Sequence, residues 1–539
     1  MCGIHASLSA TPHEISPKLK HTFCDSWFLT FTSTVLALRG DHITNQPLVH
    51  PTNQSVLCWN GEAWRIDGCQ VEGNDGEAIF DRLSQPTALV ARRDAILSVF
   101  RSIEGPFAFV YYDQLSEALY FGRDRLGRRS LMKRQDSASG DLILCSVAES
   151  PDPSWTEVEA DGIYAVDLCN SSDDLRVSRR LSKHGWQAPD RPDFVSSIGK
   201  FNKSLSSSGF VLESSSPSVA ALKQRLLESL RLRVLNVPQP ISVDVAVPPR
   251  IAVLFSGGLD CTVLARLTHD LLEPDQEIDL INVAFENPRV VAQLEKDTKG
   301  SLVDFYEACP DRITGRKSFA ELLNVCPGRG FRFLAVNVPY SEALAHRSQV
   351  VSLIFPHNTE MDLSIAYALY FAARGQGASD FADASVEPSG LKYVTPARVL
   401  ISGLGADELF GGYGRHAIAF SRQGYTGLVD ELFLDVSRLS KRNLGRDDRV
   451  MAHWGKEVRF PFLDECLVRW AMEIPAWEKC DFDHGEEITG VEPGKRVLRL
   501  LALELGMVEV AREKKRAIQF GARTAKMESG HVKGTAVIS

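Results

Sequence analysis

The chain has 539 residues and a formal net charge of −9, with 44% of its residues hydrophobic and 24% charged. That length exceeds one core and implies two to four domains, and the acidic balance gives no overall basic field, so nucleic acid is not an expected partner. No apolar run is long enough to cross a bilayer, and Met1-Cys2-Gly3-Ile4-His5 lacks a basic region before an apolar core, so neither a membrane nor secretion is expected. Eleven scattered cysteines, with no CxxC pair and no zinc-type spacing, fit a reducing, cytoplasmic setting.

From the N-terminus, aromatic and small apolar runs bounded by turn residues read as strands: Cys58–Glu62, Pro106–Tyr112 and Ala118–Gly122. Between about 170 and 217 the composition shifts to serine, and Ser204–Gly209 and Ser214–Pro217 read as a flexible, solvated connector. Ser218 is expected to cap a helix with apolar residues at Val219, Leu222, Leu226 and Leu230. A proline-rich stretch from Val237 to Pro249 ends it. Beyond that, Ile251–Phe255, Leu280–Phe285, Phe333–Val338 and Val399–Ile401 look like parallel strands alternating with amphipathic helices, the pattern of a doubly wound α/β domain.

Two loops in this half carry chemistry. The apolar run Arg250–Phe255 passes straight into Ser256-Gly257-Gly258-Leu259-Asp260, after which Leu259, Val263, Leu267 and Leu271 mark a helix. Glycines at a strand-to-helix junction let bare N–H groups and the helix N-terminus face a pyrophosphate. Asp260 adds a hard oxygen ligand for Mg²⁺. The second loop, Ser402-Gly403-Leu404-Gly405 leading to Asp407-Glu408, is built the same way. Ligands of such sheets lie beyond the carboxyl ends of the strands, so Asp260 and Asp407 are expected to reach one metal from opposite sides. The plainer alternative is that Asp407 and Glu408 only complement a helix dipole.

SGGLD at 256–260, SGLGADELFGGY at 402–413 and RFPFLDE at 459–465 resemble the synthetase domain of the asparagine synthetase family. Met1-Cys2-Gly3-Ile4 and Trp59-Asn60-Gly61-Glu62 are similar to its glutamine amidotransferase domain. Within the family, DRITGR at 311–316, RNLGRDDR at 442–449 and KRAIQFGARTAKME at 515–528 resemble the eukaryotic asparagine synthetase domain-containing branch. The resemblance implies an α+β N-terminal nucleophile (αββα) domain over 2–170, the connector over 171–217, and an α/β Rossmann-like ATP-pyrophosphatase domain over 218–539. It also implies that Ser256, Gly257, Gly258 and Asp260 hold pyrophosphate and Mg²⁺, that Asp407 is the second metal ligand, and that Ser402 and Gly403 lie along AMP. Lys495, in Pro493-Gly494-Lys495-Arg496, matches a family lysine that steadies phosphate charge, although by itself it reads as a solvated cation at a helix start.

In the first domain, removal of Met1 would leave the Cys2 thiol beside its own α-amine, which serves as its base. Asn60 and Gly61 would supply an oxyanion hole. Asp75 matches the carboxylate that pairs with the ammonium of glutamine, and Glu62 joins it as a substrate-binding residue. Two departures stand out. The family's RGPD-like clamp for the glutamine α-carboxylate has no counterpart, since Arg39 precedes Gln46-Pro47 too closely and suits the later strand. Leu404 stands where asparagine synthetases place a glutamate, and an alkyl chain cannot accept a proton.

The expected function is therefore that of an asparagine synthase (glutamine-hydrolysing)-like carbon–nitrogen ligase. It would use ATP and Mg²⁺ to adenylate a carboxylate and draw ammonia from glutamine, with efficient amidation of aspartate not expected. Glutamine and an unidentified carboxylate are the implied partners, with a homodimer left open. The rival reading is an ATP-binding pseudoenzyme acting through protein partners.

Overall fold

The computed structural model describes residues 3–9, 20–23, 27–136, 139–168, 181–187, 194–205, 209–239, 248–297, 304–381, 390–527 and 533–538, with backbone alone at 20–23, at 27 and at 489. The chain divides into two compact units. One joins Met1–Ser197 to Ser352–His357 and Arg438–His453; the other joins Ile198–Val351, Asn358–Ser437 and Trp454–Ser539.

Two six-stranded antiparallel sheets build the first unit. One runs Trp155–Glu157, Met132–Gln135, Leu142–Cys145, Gly3–Ser9, Trp27–Thr34, Lys20–Phe23. The other runs Leu181–His184, Ile163–Asp167, Ala118–Arg123, Phe107–Asp113, Val56–Gly61, Leu48–Val49. Strand alternation sends Val56 and Cys58 to one face, where they meet Ile4, Ala6, Leu29 and Phe31 of the facing sheet. Leu57 and Trp59 point the other way, to Ile79, Phe80, Ile96 and Phe100 of the helices Asp75–Leu83 and Leu89–Ser102. All three strands expected in this region are present.

Part of the expected connector is sheet. Leu181–His184 pairs with Ile163–Asp167, and Trp186 is buried, its Nε1 donating to the Ala160 carbonyl at 3.0 Å. The sequence does not announce this strand, because its four residues carry no periodic apolar signal and it forms by completing an open sheet edge. Residues 171–180, 188–193 and 206–208 of the connector lie outside the described residues. The following helix, Pro217–Val234, also starts earlier than expected, because Pro217 supplies a preset φ at its first position and Ser216 becomes the cap residue. Ser218 is thus inside the helix and buried.

The second unit is organised on a seven-stranded sheet: Leu391–Val394, Gln376–Phe381, Phe331–Val338, Ile278–Phe285, Ile251–Leu254, Val399–Ile401, Glu457–Arg459. The last five are mutually parallel, and the first two form an antiparallel hairpin at one edge. All four strands expected to be parallel are among the five. From Ile251–Leu254 the chain builds outward on one side, then returns to Val399–Ile401 on the other. That reversal of strand order is where a parallel sheet opens a crevice beyond its carboxyl ends.

Candidate functional site

Both loops that flank the reversal have the same local architecture. Ser256 Oγ accepts from the Gly258 amide at 3.3 Å, and Ser402 Oγ accepts from the Leu404 amide at 3.3 Å. Each turn then delivers a helix, Leu259–Leu271 with Asp260 in its first turn and Ala406–Phe410 with Asp407 in its first turn. Gly257 has φ +81°, and a Cβ there would come within 2.5 Å of the Gly315 backbone in the DRITGR segment. No other residue type satisfies both demands. A Cβ on Gly403 would sit 2.9 Å from that of Asp260, so the two turns are in contact.

Asp260 and Asp407 converge on a single cation, the ammonium of Lys495. Its Nζ donates to Asp260 Oδ1 and Oδ2 at 2.8 and 2.9 Å and lies 2.9 Å from Asp407 Oδ1. Lys495 is 3% exposed, which excludes the solvated helix-start reading. It precedes the helix Arg496–Glu504 in left-handed backbone, φ 54°, and that conformation turns its side chain away from the helix and into the crevice. Gly412 leaves room for it, since a Cβ there would meet Asp407 Oδ1 at 2.0 Å and Lys495 Cδ at 2.9 Å.

A second cation, missed in the sequence although it lies in the quoted KRAIQFG segment, comes from Lys515. Its Nζ donates to Asp407 Oδ2 at 2.6 Å and stands over the Tyr413 ring. Tyr413 in turn donates to Glu408 Oε1 at 2.6 Å, so Glu408 is a buried hydrogen-bond partner and not only a dipole complement. Burial alone would raise the Asp407 carboxyl, but Lys495 and Lys515 hold it well below the usual carboxylate range. Asp260 is pushed upward by burial, against the pull of Lys495. Burial also works against the Lys495 charge, yet the two carboxylates keep its pKa above the ordinary lysine value. Among the described residues no set of three or more His, Cys, Asp or Glu side chains gathers as a metal cage.

In the first unit, Asn60 and Gly61 end the strand Val56–Gly61, and Glu62 follows it. Gly61 packs so closely that a Cβ would stand 2.5 Å from the Pro106 carbonyl. Asp75 opens the helix Asp75–Leu83, and its Oδ2 accepts from Trp59 Nε1 at 3.0 Å and from the Ala63 amide at 2.8 Å. Burial raises the Asp75 carboxyl, with Arg39 pulling against it. Arg39 is not part of a strand, contrary to expectation. It lies buried in the loop before Leu48, donating to the carbonyls of Ala63 at 2.8 Å and Val71 at 2.5 Å, with Nη1 3.6 Å from Glu62 Oε2. The sequence thus underrated a cation that sits among Glu62 and Asp75. Cys2 lies outside the described residues.

Family models match in both halves: a glutamine amidotransferase domain over residues 34–150 and asparagine synthase over residues 421–535. Asparagine synthetase domain-containing protein 1 of Homo sapiens is 33% identical over 98% of this chain and 96% of its own length. An asparagine synthetase domain-containing protein of Saccharomyces cerevisiae is 34% identical over 95% of this chain and 86% of its own. A putative glutamine-hydrolysing asparagine synthetase of Methanocaldococcus jannaschii is 50% identical over a 78-residue stretch, 14% of each chain. No helix among the described residues is long and apolar enough to cross a membrane. With paired domain matches and near full-length likeness to these relatives, the chain belongs to the asparagine synthetase domain-containing family, a glutamine amidotransferase domain followed by an asparagine synthase domain.

Proposed function

We propose that the protein is an ATP-dependent amidotransferase, in which the asparagine synthase domain adenylates a carboxylate and the amidotransferase domain releases ammonia from glutamine. The observation that carries this reading is the convergence of Asp260 and Asp407 on Lys495 at the strand-order reversal. Two hard carboxylates facing one cation position suit Mg²⁺, which takes few protein ligands and completes its shell with phosphate oxygens and water. Asp260 and Asp407 would hold Mg²⁺ there, and it would supply neutralising charge to the phosphates. Lys495 and Lys515 then have polyphosphate oxygens as alternative partners, and the turns at 256–258 and 402–403 offer backbone N–H groups to pyrophosphate and AMP. In the reaction, a carboxylate oxygen attacks the α-phosphorus while the bond to pyrophosphate breaks. Ammonia next attacks the acyl carbon, AMP leaves, and the nitrogen gives up a proton.

Leu404 has no group to take that proton, so aspartate is a poor acceptor in this reading. On the amidotransferase side, Cys2 is the nucleophile once Met1 is removed, Asn60 and Gly61 hold the oxyanion, and Glu62, Asp75 and Arg39 face the charged end of glutamine. ATP–pyrophosphate exchange against a panel of carboxylic acids tests the first half. Exchange that depends on one acid identifies the acceptor. Mg·ATP binding with no exchange for any acid would replace this reading with a nucleotide-binding pseudoenzyme. Intact mass tests the second half, because a native protein retaining Met1 has no amine base at Cys2. Ammonium chloride supplied with aspartate should yield little asparagine, and rapid asparagine formation would show that Leu404 has been given too much weight.

A further inference from the structure

The RNLGRDDR segment is remote from the amidotransferase region in sequence, yet it packs within the first unit. Its helix, Leu444–Ala452, grips the loop 124–130 through Asp448. Asp448 Oδ2 accepts from the Ser130 amide at 2.9 Å, and Oδ1 accepts from Arg129 Nη1 at 3.1 Å. The next residue, Arg449, donates to Ser130 Oγ at 2.8 Å and pairs with Glu157. Glu157 also pairs with Arg123, whose guanidinium donates to the carbonyls of Gly127 and Arg129 in the same loop. Gly445 lets the helix approach, since a Cβ there would lie 2.3 Å from Glu157 Oε1.

From that loop the contacts run directly to the amidotransferase strand. Asp124 exchanges two bonds with Phe107, its amide to the Phe107 carbonyl at 2.8 Å and its Oδ2 from the Phe107 amide at 3.1 Å. Asp124 Oδ1 takes Arg128 Nε at 2.9 Å, and Arg128 Nη2 reaches the Gly105 carbonyl at 2.7 Å. Gly105 and Pro106 form the seat of the site turn: the Glu62 amide donates to the Pro106 carbonyl at 2.8 Å, and a Cβ on Gly105 would fall 2.0 Å from the Glu62 carbonyl. A shift in the loop therefore has little slack to absorb it before the Asn60–Glu62 backbone moves.

We propose that Asp448 is a positioning residue for glutamine hydrolysis, holding loop 124–130 so that Gly105–Phe107 sets the Asn60–Gly61 donors. A residue of the asparagine synthase half of the sequence would thereby complete the amidotransferase site, and the amidotransferase region would not be an autonomous module. This rests on the reading of Asn60 and Gly61 as the oxyanion hole. Small displacements of such donors are costly, on the order of 10- to 100-fold in rate.

The test uses the full chain with Asp448→Ala, Asp448→Asn, Gly445→Ala and the surface control Arg93→Ala, each first shown to be folded by its melting curve. Glutamate release from glutamine should show kcat lower by roughly 10- to 100-fold in Asp448→Ala with KM little changed, partial rescue in Asp448→Asn, and no change in the control. In parallel, amide hydrogen exchange should quicken in peptides covering 56–64 and 104–108 as well as 124–130. Unchanged exchange at 56–64 in both Asp448→Ala and Gly445→Ala would overturn the proposal, as would unchanged kcat in an active protein. Faster exchange at 56–64 in the two variants, when the wild-type protein itself releases no glutamate, would leave the positioning intact and remove the glutaminase reading.

Discussion

Asp75 in the amidotransferase unit and Asp407 in the synthase unit are both carboxylates in the first turn of a helix, the one buried and the other mostly so, yet their environments drive them in opposite directions. Asp75 is bonded by neutral donors, Trp59 Nε1 and the Ala63 amide, while Arg39 contributes its charge from beside it; desolvation prevails and the carboxyl is raised. Asp407 touches two ammonium groups, and their charges overcome the same desolvation. The difference shows that burial alone does not fix ionisation here; the number of cations in direct contact does. Under the proposed function the two carboxylates would serve different tasks: Asp75 would pair with a cationic ligand such as the ammonium of an amino acid, and Asp407 would exchange its lysine partners for metal and phosphate.

The largest effect should come from removing the shared cation. Lys495→Met leaves Asp260 and Asp407 facing one another in a partly buried site without their shared cation, and loss of one partner from such a set costs at most about 3–5 kcal/mol. Pyrophosphate exchange should fall by roughly 10²–10³-fold, and calorimetric unfolding should report the lost stability; a variant with normal exchange would break the contrast between the two units. Next, Asp407→Asn keeps the shape but deletes an ionised ligand, so Mg²⁺-dependent ATP affinity should weaken by on the order of 30-fold. Unchanged titrations in both Asp407→Asn and Asp260→Asn would make these carboxylates structural only.

In the amidotransferase unit the expected change is smaller. Arg39→Met removes the charge that opposes the desolvation of Asp75, and KM for glutamine in glutamate release should rise by roughly 10-fold with a lesser effect on kcat. An unchanged KM would place Arg39 outside the substrate pocket. The mildest test sharpens the comparison within the synthase unit. Burial raises Asp311 to about 7, with Arg516 at 3.6 Å opposing it only in part. Because this folded-state value lies above that of an unfolded aspartate, the associated stability is present at acid pH and is lost as pH rises from about 4 through 7. Asp311→Asn should flatten that slope and give the higher melting temperature at pH 8; identical pH profiles for the two proteins would show that Asp311 is not desolvated as described.

Much of the fold was legible because it is written locally. The apolar runs at 251–255, 280–285, 333–338 and 399–401 are long enough in one period to specify buried strands, and each is a parallel strand. The glycine-rich turns announced themselves in the same way, since only glycine meets the φ and contact demands at Gly257. The Leu181–His184 strand was not legible, because its four residues carry no periodic apolar signal and gain a partner only from the sheet edge.

The candidate sites divide along the same line. The sequence singled out Asp260, Asp407, Asn60 and Asp75, each of which sits in a short motif whose neighbours constrain its meaning. It left Lys495 ambiguous between solvent and site, set Arg39 aside, and gave no sign that Asp448 packs with loop 124–130. Those three were decided by tertiary structure, for a physical reason. A long cationic side chain or a single carboxylate carries no local imprint of its partner, and here the partners lie 235 residues away for Lys495 and Asp260 and 318 for Ser130 and Asp448. Only the folded backbone brings such charges within reach, and only the low-dielectric surroundings that folding creates make their pairing strong enough to matter.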